Sequence, residues 1–270
     1  MASQPITPES LLTEIVAQLN IVIDWAKQTG SVADLGEHAE DLCLHYRAYA
    51  ICLFAQQGDV DVFFHWLLHA PIVRRHFLTQ AQAQGLTGLG HLRTSFVDPV
   101  LDAVAARQWQ LAADIGAMTS PTWMAGLEYE DDFCYGDFIR RMVGRRSDGT
   151  DELVARWRDA LEGGSDLRLD VAEALLAGKP DPFQDALRAL LQDTEAKARR
   201  LANPESLSPL ADELPFFPNR WISVEGLALL ALAERQGLAI EDDIEACPPP
   251  LRPGRYAPFR PLAYPNLGIE

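Results

Sequence analysis

Asp61, His65, His69 and His76 follow one another at spacings of four, four and seven, which an ideal helix places on a single face. Two histidines at i and i+4 can share a zinc ion when a third ligand and a water complete the shell. The preceding helical segment offers Asp41 and His45, also four apart. Trp66, however, stands where an H-E-x-x-H motif needs its glutamate, and Pro71 interrupts the face before His76. Neither segment carries the Glu-x-x-His pair of di-metal bundles. The pattern favours ordinary histidines, leaves His65 and His69 as the alternative metal pair, and predicts no cofactor.

A second chemistry-bearing run is Glu128-Tyr129-Glu130-Asp131-Asp132-Phe133, with four acids in five positions and Asp137 soon after. Acids at a helix start, with Arg140, Arg141, Arg145 and Arg146 near its other end, complement the helix dipole, which is a purely structural reading. A calcium loop is excluded, because the alternating acids, central glycine and closing glutamate are missing. The functional reading is an acidic surface, lined by Tyr129 and Phe133, that receives a basic protein. Glu241, Asp242 and Asp243 form a further acidic cluster, either solvated helix-end charge or a second contact. No G-x-S-x-G elbow is present, and Cys134 has no local partner pattern, so no catalytic residue is assigned.

These residues must be positioned by helices, since apolar residues recur at helical spacing and strand alternation is missing. Thr7-Pro8-Glu9 reads as a cap and first turn, followed by the stripe Leu11, Leu12, Ile15, Val16, Leu19, Val22 and Ile23 up to Gly30. Ser31 starts a second helix that ends before Gly58, and a third through Phe63 and Leu67 is expected to kink at Pro71. Gly85 to Gly90 mark a loop, Asp98-Pro99 opens another helix, and residues 108–118 extend it or pair with it. Further helices are predicted at 129–144, 151–162, 167–177, 183–201 and 223–236. Four prolines between 203 and 220 predict an irregular connection, with Phe216, Phe217 and Trp221 docked on the body. Leu227 to Ala233 leave no polar face, as a central core helix requires. The expected fold is all-α: one domain over 1–246, of roughly nine to eleven helices in a bundle or solenoid-like stack. Residues 247–270 are expected to form a proline-rich tail packed on that body.

Composition narrows the partners. The 270 residues carry 39 acids against 23 Lys and Arg, a formal charge of −16, with ordinary hydrophobic content of 48%. Such a surface repels phosphate backbones and anionic lipid, so direct nucleic-acid and membrane binding are not expected. The N-terminus lacks a basic segment followed by an apolar run, and the four cysteines show neither C-x-x-C nor zinc spacing. A cytoplasmic protein is expected.

Five segments carry a resemblance: Tyr129-Glu130-Asp131-Asp132-Phe133, Leu169 to Leu176, Phe183 with Ala186-Leu187, Trp221 to Leu230, and Cys247-Pro248-Pro249-Pro250-Leu251. In this order, over residues 125 to 251, they resemble the immunity protein 49 family of bacterial polymorphic-toxin systems. The resemblance implies a helical cytoplasmic protein that binds a cognate toxin and blocks it, with no catalytic residue to carry over. A toxin acting on nucleic acid would be basic, which suits the acidic chain. The partner-binding set is therefore Glu128, Tyr129, Glu130, Asp131, Asp132, Phe133, Asp137, Glu241, Asp242 and Asp243. Two rival readings are a metal-dependent helical enzyme using His65 and His69, and a scaffold acting through the tail with Arg252, Arg255, Tyr256, Arg260 and Tyr264.

Overall fold

The computed structural model describes residues 7–146, 148–201 and 211–252. Helix α1 (Pro8–Gln28) starts where Thr7 accepts the Ser10 amide at 3.2 Å and Ser10 returns a bond to the Thr7 amide, a reciprocal cap. Ser31 caps α2 (Val32–Gln57), which ends at Gly58 in the left-handed conformation, φ 67°. The expected kink at Pro71 is a full break three residues earlier, between α3 (Val60–Leu67) and α4 (His69–Ala83). Pro71 thereby sits in the first turn of α4, where its missing N–H has no helical acceptor to lose. Helices α5 (Asp98–Ala105) and α6 (Trp109–Met118) pair rather than merge, parted at Arg107 with φ 56°.

After a loop at 119–129 come α7 (Glu130–Gly144), α8 (Thr150–Ala160), α9 (Leu167–Ala177), α10 (Pro180–Leu201) and α11 (Val224–Arg235). Helix α10 begins at Pro180, ahead of the expected 183, and takes Pro182 into its first turn as α4 does Pro71. No strand occurs among the described residues, and the fold is all-α with eleven α-helices there. The proline segment is a 3-10 stretch, Ala211–Arg220, in which Phe217 is buried while Phe216 stays exposed. Pro204 and Pro209 lie outside the described residues.

One contiguous core runs from Leu11 to Leu251, and α11 is its centre, with every residue from Gly226 to Ala233 buried. It packs on α5, far from it in sequence. Two glycines set the close approaches that matter below. A Cβ on Gly226 would meet the Cys247 Sγ at 2.6 Å, and one on Gly136 would lie 2.3 Å from the Thr94 carbonyl oxygen. The start of the tail is packed: Cys247, Leu251 and Arg252 are buried, and Arg252 Nε donates to Glu234 at 3.0 Å. Arg255, Tyr256, Arg260 and Tyr264 lie outside the described residues. No helix is long and apolar enough to cross a membrane among the described residues.

Candidate functional site

The histidines are built into an aromatic cluster. His69 is fully buried, its Nδ1–H donates to the His65 carbonyl at 2.9 Å, and Trp66 stacks on its ring at 4.8 Å with Tyr46 at 5.0 Å. Burial drives its pKa down to about 4, so the ring is neutral at physiological pH. His45 spends Nδ1 on the Asp41 carbonyl at 2.7 Å. No group of three or more metal-ligating side chains occurs among the described residues, and the break at Leu68 puts Asp61 and His65 on α3 and His69 and His76 on α4.

The acids of the run are half-buried or buried, and each has a partner within the chain. Glu128 is a positioning residue: its two oxygens accept the Ser95 amide at 2.9 Å and the Met124 amide at 3.0 Å. The Trp123 indole donates to the Glu128 carbonyl at 3.1 Å, and Thr94 Oγ1 donates to the Ser120 carbonyl at 2.6 Å. The loop is thus pinned at several points, yet Trp123, Leu127 and Tyr129 are 37%, 51% and 79% exposed. Glu130 pairs with Arg156 at 2.7 Å and Asp131 lies 4.0 Å from Arg168, both half-buried. Asp132 is held by Arg168 at 2.9 Å.

Two members of the expected contact set face inward. Phe133 is 3% exposed beneath the Arg156 guanidinium, and Asp137 is 3% exposed, clamped by Arg140 and by Arg141 at 2.9 Å. The physical reason is that α7 is buried from Phe133 to Ile139, so charge there is paired internally rather than offered to solvent. The second cluster is exposed, with Glu241 bonded to Arg188 at 2.5 Å across to α10.

A separate polar centre lies between α5, α7, α9, α10 and α11. A cleft of about 750 Å³ there is lined by Asp98, Asp132, Tyr135, Asp166, Arg168 and Glu225, among others. The Tyr135 hydroxyl donates to Glu225 Oε1 at 2.6 Å, and the Arg168 guanidinium lies 4.9 Å from the Tyr135 ring centroid. Arg168 is itself held by Asp166 at 3.1 Å, the residue that caps α9. Behind them Arg47 joins Asp98 and, at 2.7 Å, the buried Asp102.

Burial raises the Glu225 carboxyl above the usual range, against the Tyr135 hydrogen bond and the Arg168 charge. Burial also raises Tyr135 far above a free phenol, and the neighbouring Glu225 charge adds to this. Burial alone would lower Arg168, but Asp166 and Asp132 outweigh it and hold the guanidinium charged. Burial lifts Asp102 to about 7, against the pull of Arg47. The arrangement can bind and orient polar groups through a Tyr–carboxylate pair.

From sequence, Glu225 reads only as part of a helix start, and Tyr135 and Arg168 carry no signal. The usable hint is an acid placed inside a stretch, Ile222 to Ala233, that is otherwise nearly apolar. Two of the segments quoted above nonetheless meet in space here: Asp132 from the first and Glu225 from the fourth. Comparison of the chain with models of known families, with curated proteins and with solved structures finds no match.

Proposed function

We propose that this chain is an immunity protein that binds a cognate toxin in the cytoplasm and neutralises it by stoichiometric occlusion. One observation carries the reading: Leu127 and Tyr129 stand exposed on a loop that Glu128 pins from beneath, beside the half-buried acids Glu130 and Asp131. Apolar side chains on a pinned backbone bind without the cost of ordering the loop, so they serve as anchors, and the acids set encounter rate and register. A formal charge of −16 favours a basic toxin, a nuclease being the class whose own site must attract phosphate. The family resemblance of residues 125 to 251 supports the same partner. Glu241, Asp242 and Asp243 offer a second acidic contact, whereas Glu128, Asp132, Phe133 and Asp137 hold the scaffold.

The test is association kinetics with the toxin domain encoded beside this gene. Reversing charge at Glu130 and Asp131 together should slow association and flatten its dependence on salt, with dissociation little changed. An unchanged association rate would place the interface elsewhere.

A further inference from the structure

We propose that the cleft between α5, α7, α9, α10 and α11 binds an alkyl-linked cation, a guanidinium or primary ammonium, with Glu225 as its counter-ion. Five carboxylates (Asp98, Asp132, Asp166, Asp193, Glu225) and three cations (Arg93, Arg168, Lys197) line it, so the cleft is negative overall. Each cation already has a carboxylate of the chain: Arg93 has Glu40 at 2.8 Å, Arg168 has Asp132 at 2.9 Å, and Lys197 has Asp193 at 2.7 Å. Asp98 is likewise spent on Arg47.

Glu225 differs from all of these. Its Oε1 accepts the Tyr135 hydroxyl at 2.6 Å, and among the described residues no cation bonds to it. The charges of Arg168 and Arg47 reach it only from a distance, so a mostly desolvated carboxylate with no cation bonded to it gains from an incoming one, whose charge-assisted bonds replace water it has already lost. The remaining wall is mixed, with Ser95, Ser165 and Thr194 beside Phe96, Leu101 and Leu190, and these last three offer the methylene stem behind such a head group an apolar surface. Phosphate and carboxylate ligands would meet the wrong sign of charge. The inference does not depend on toxin neutralisation, since it concerns the chain alone.

Calorimetric titration of the full chain with agmatine, and with a blocked tripeptide whose central residue is arginine, tests it. Agmatine should bind saturably, and Glu225→Gln, which keeps the shape and still accepts the Tyr135 hydroxyl, should weaken it at least tenfold. Asp170→Asn, which removes an exposed acid of α9 outside the cleft, should retain agmatine binding; circular dichroism confirms that each variant is folded. Agmatine bound and the peptide refused would identify a free small cation as the ligand, whereas binding of both would mean that a partner's side chain can enter. No saturable binding of either probe, or equal binding by Glu225→Gln, would overturn the proposal.

Discussion

Tyr135 on α7 donates its hydroxyl to Glu225 on α11 at 2.6 Å, joining residues ninety positions apart in the chain. The bond ties the helix that follows the exposed loop to the helix at the centre of the core. Two glycines allow it: Gly136 lets α7 lie against the Thr94 backbone, and Gly226 seats α11 on Cys247. The cleft thus depends on close packing of helices that sequence order alone would not place together.

Removing the hydroxyl should therefore be felt in stability. Tyr135→Phe keeps the ring between Arg168 and Trp157 but leaves Glu225 Oε1 without its donor. A loss of about 1–3 kcal/mol is expected in urea unfolding, the scale for a hydrogen bond to a charged group.

Arg47 should matter more. It is the shared cation of Asp98 and Asp102, and Asp102 is almost fully buried. Arg47→Met leaves two carboxylates facing each other, with an expected cost of about 3–5 kcal/mol in urea unfolding.

Two buried groups should give opposite pH dependences. The folded pKa of His69, about 4, lies below its ordinary 6.5, so its contribution is complete above 6.5 and is lost as pH falls through 4. That loss is on the order of 3 kcal/mol. The folded pKa of Asp102, about 7, lies above its ordinary 3.8, so its contribution is complete below 3.8 and is lost as pH rises through 7. Between pH 4 and 7 the two offset each other. His69→Gln should then gain stability on acidification relative to the parent, and Asp102→Asn should lose it, as read from urea midpoints at pH 4.5 and 7.5.

Gly226→Ala should destabilise by about 1–3 kcal/mol, because its Cβ meets the Cys247 Sγ at 2.6 Å and a Leu191 methyl at 2.8 Å. Adding Cys247→Ala removes the first clash, so the double variant should recover part of the loss. Strict additivity of the two changes in thermal unfolding would contradict the packing account.

The helices were legible because their stripes and caps are local: Leu11 to Val22 behind Thr7, and Leu227 to Ala233 behind Ser223, follow from spacing alone. The exposed contact set was legible only in part. Charge in sequence suggests solvent, yet Asp137 is buried because two arginines one turn away neutralise it, and Phe133 turns inward with it. The cleft was not legible at all, since Asp98, Tyr135, Arg168 and Glu225 come from four helices and converge only through the pairing of α5 with α11.

Tyr129→Ala separates binding from folding. At 79% exposure the ring supports little of the fold, so urea stability should stay within about 0.5 kcal/mol of the parent. Toxin affinity should fall by roughly 2 kcal/mol or more, the scale of an aromatic anchor.

The most direct measurement is co-expression with the toxin domain encoded beside this gene, followed by purification and calorimetry of the pair. The account predicts restored growth and a tight one-to-one complex, with rescue weakened by the Glu130 and Asp131 reversal. Continued killing by the toxin, with no complex formed between the folded partners, would contradict it.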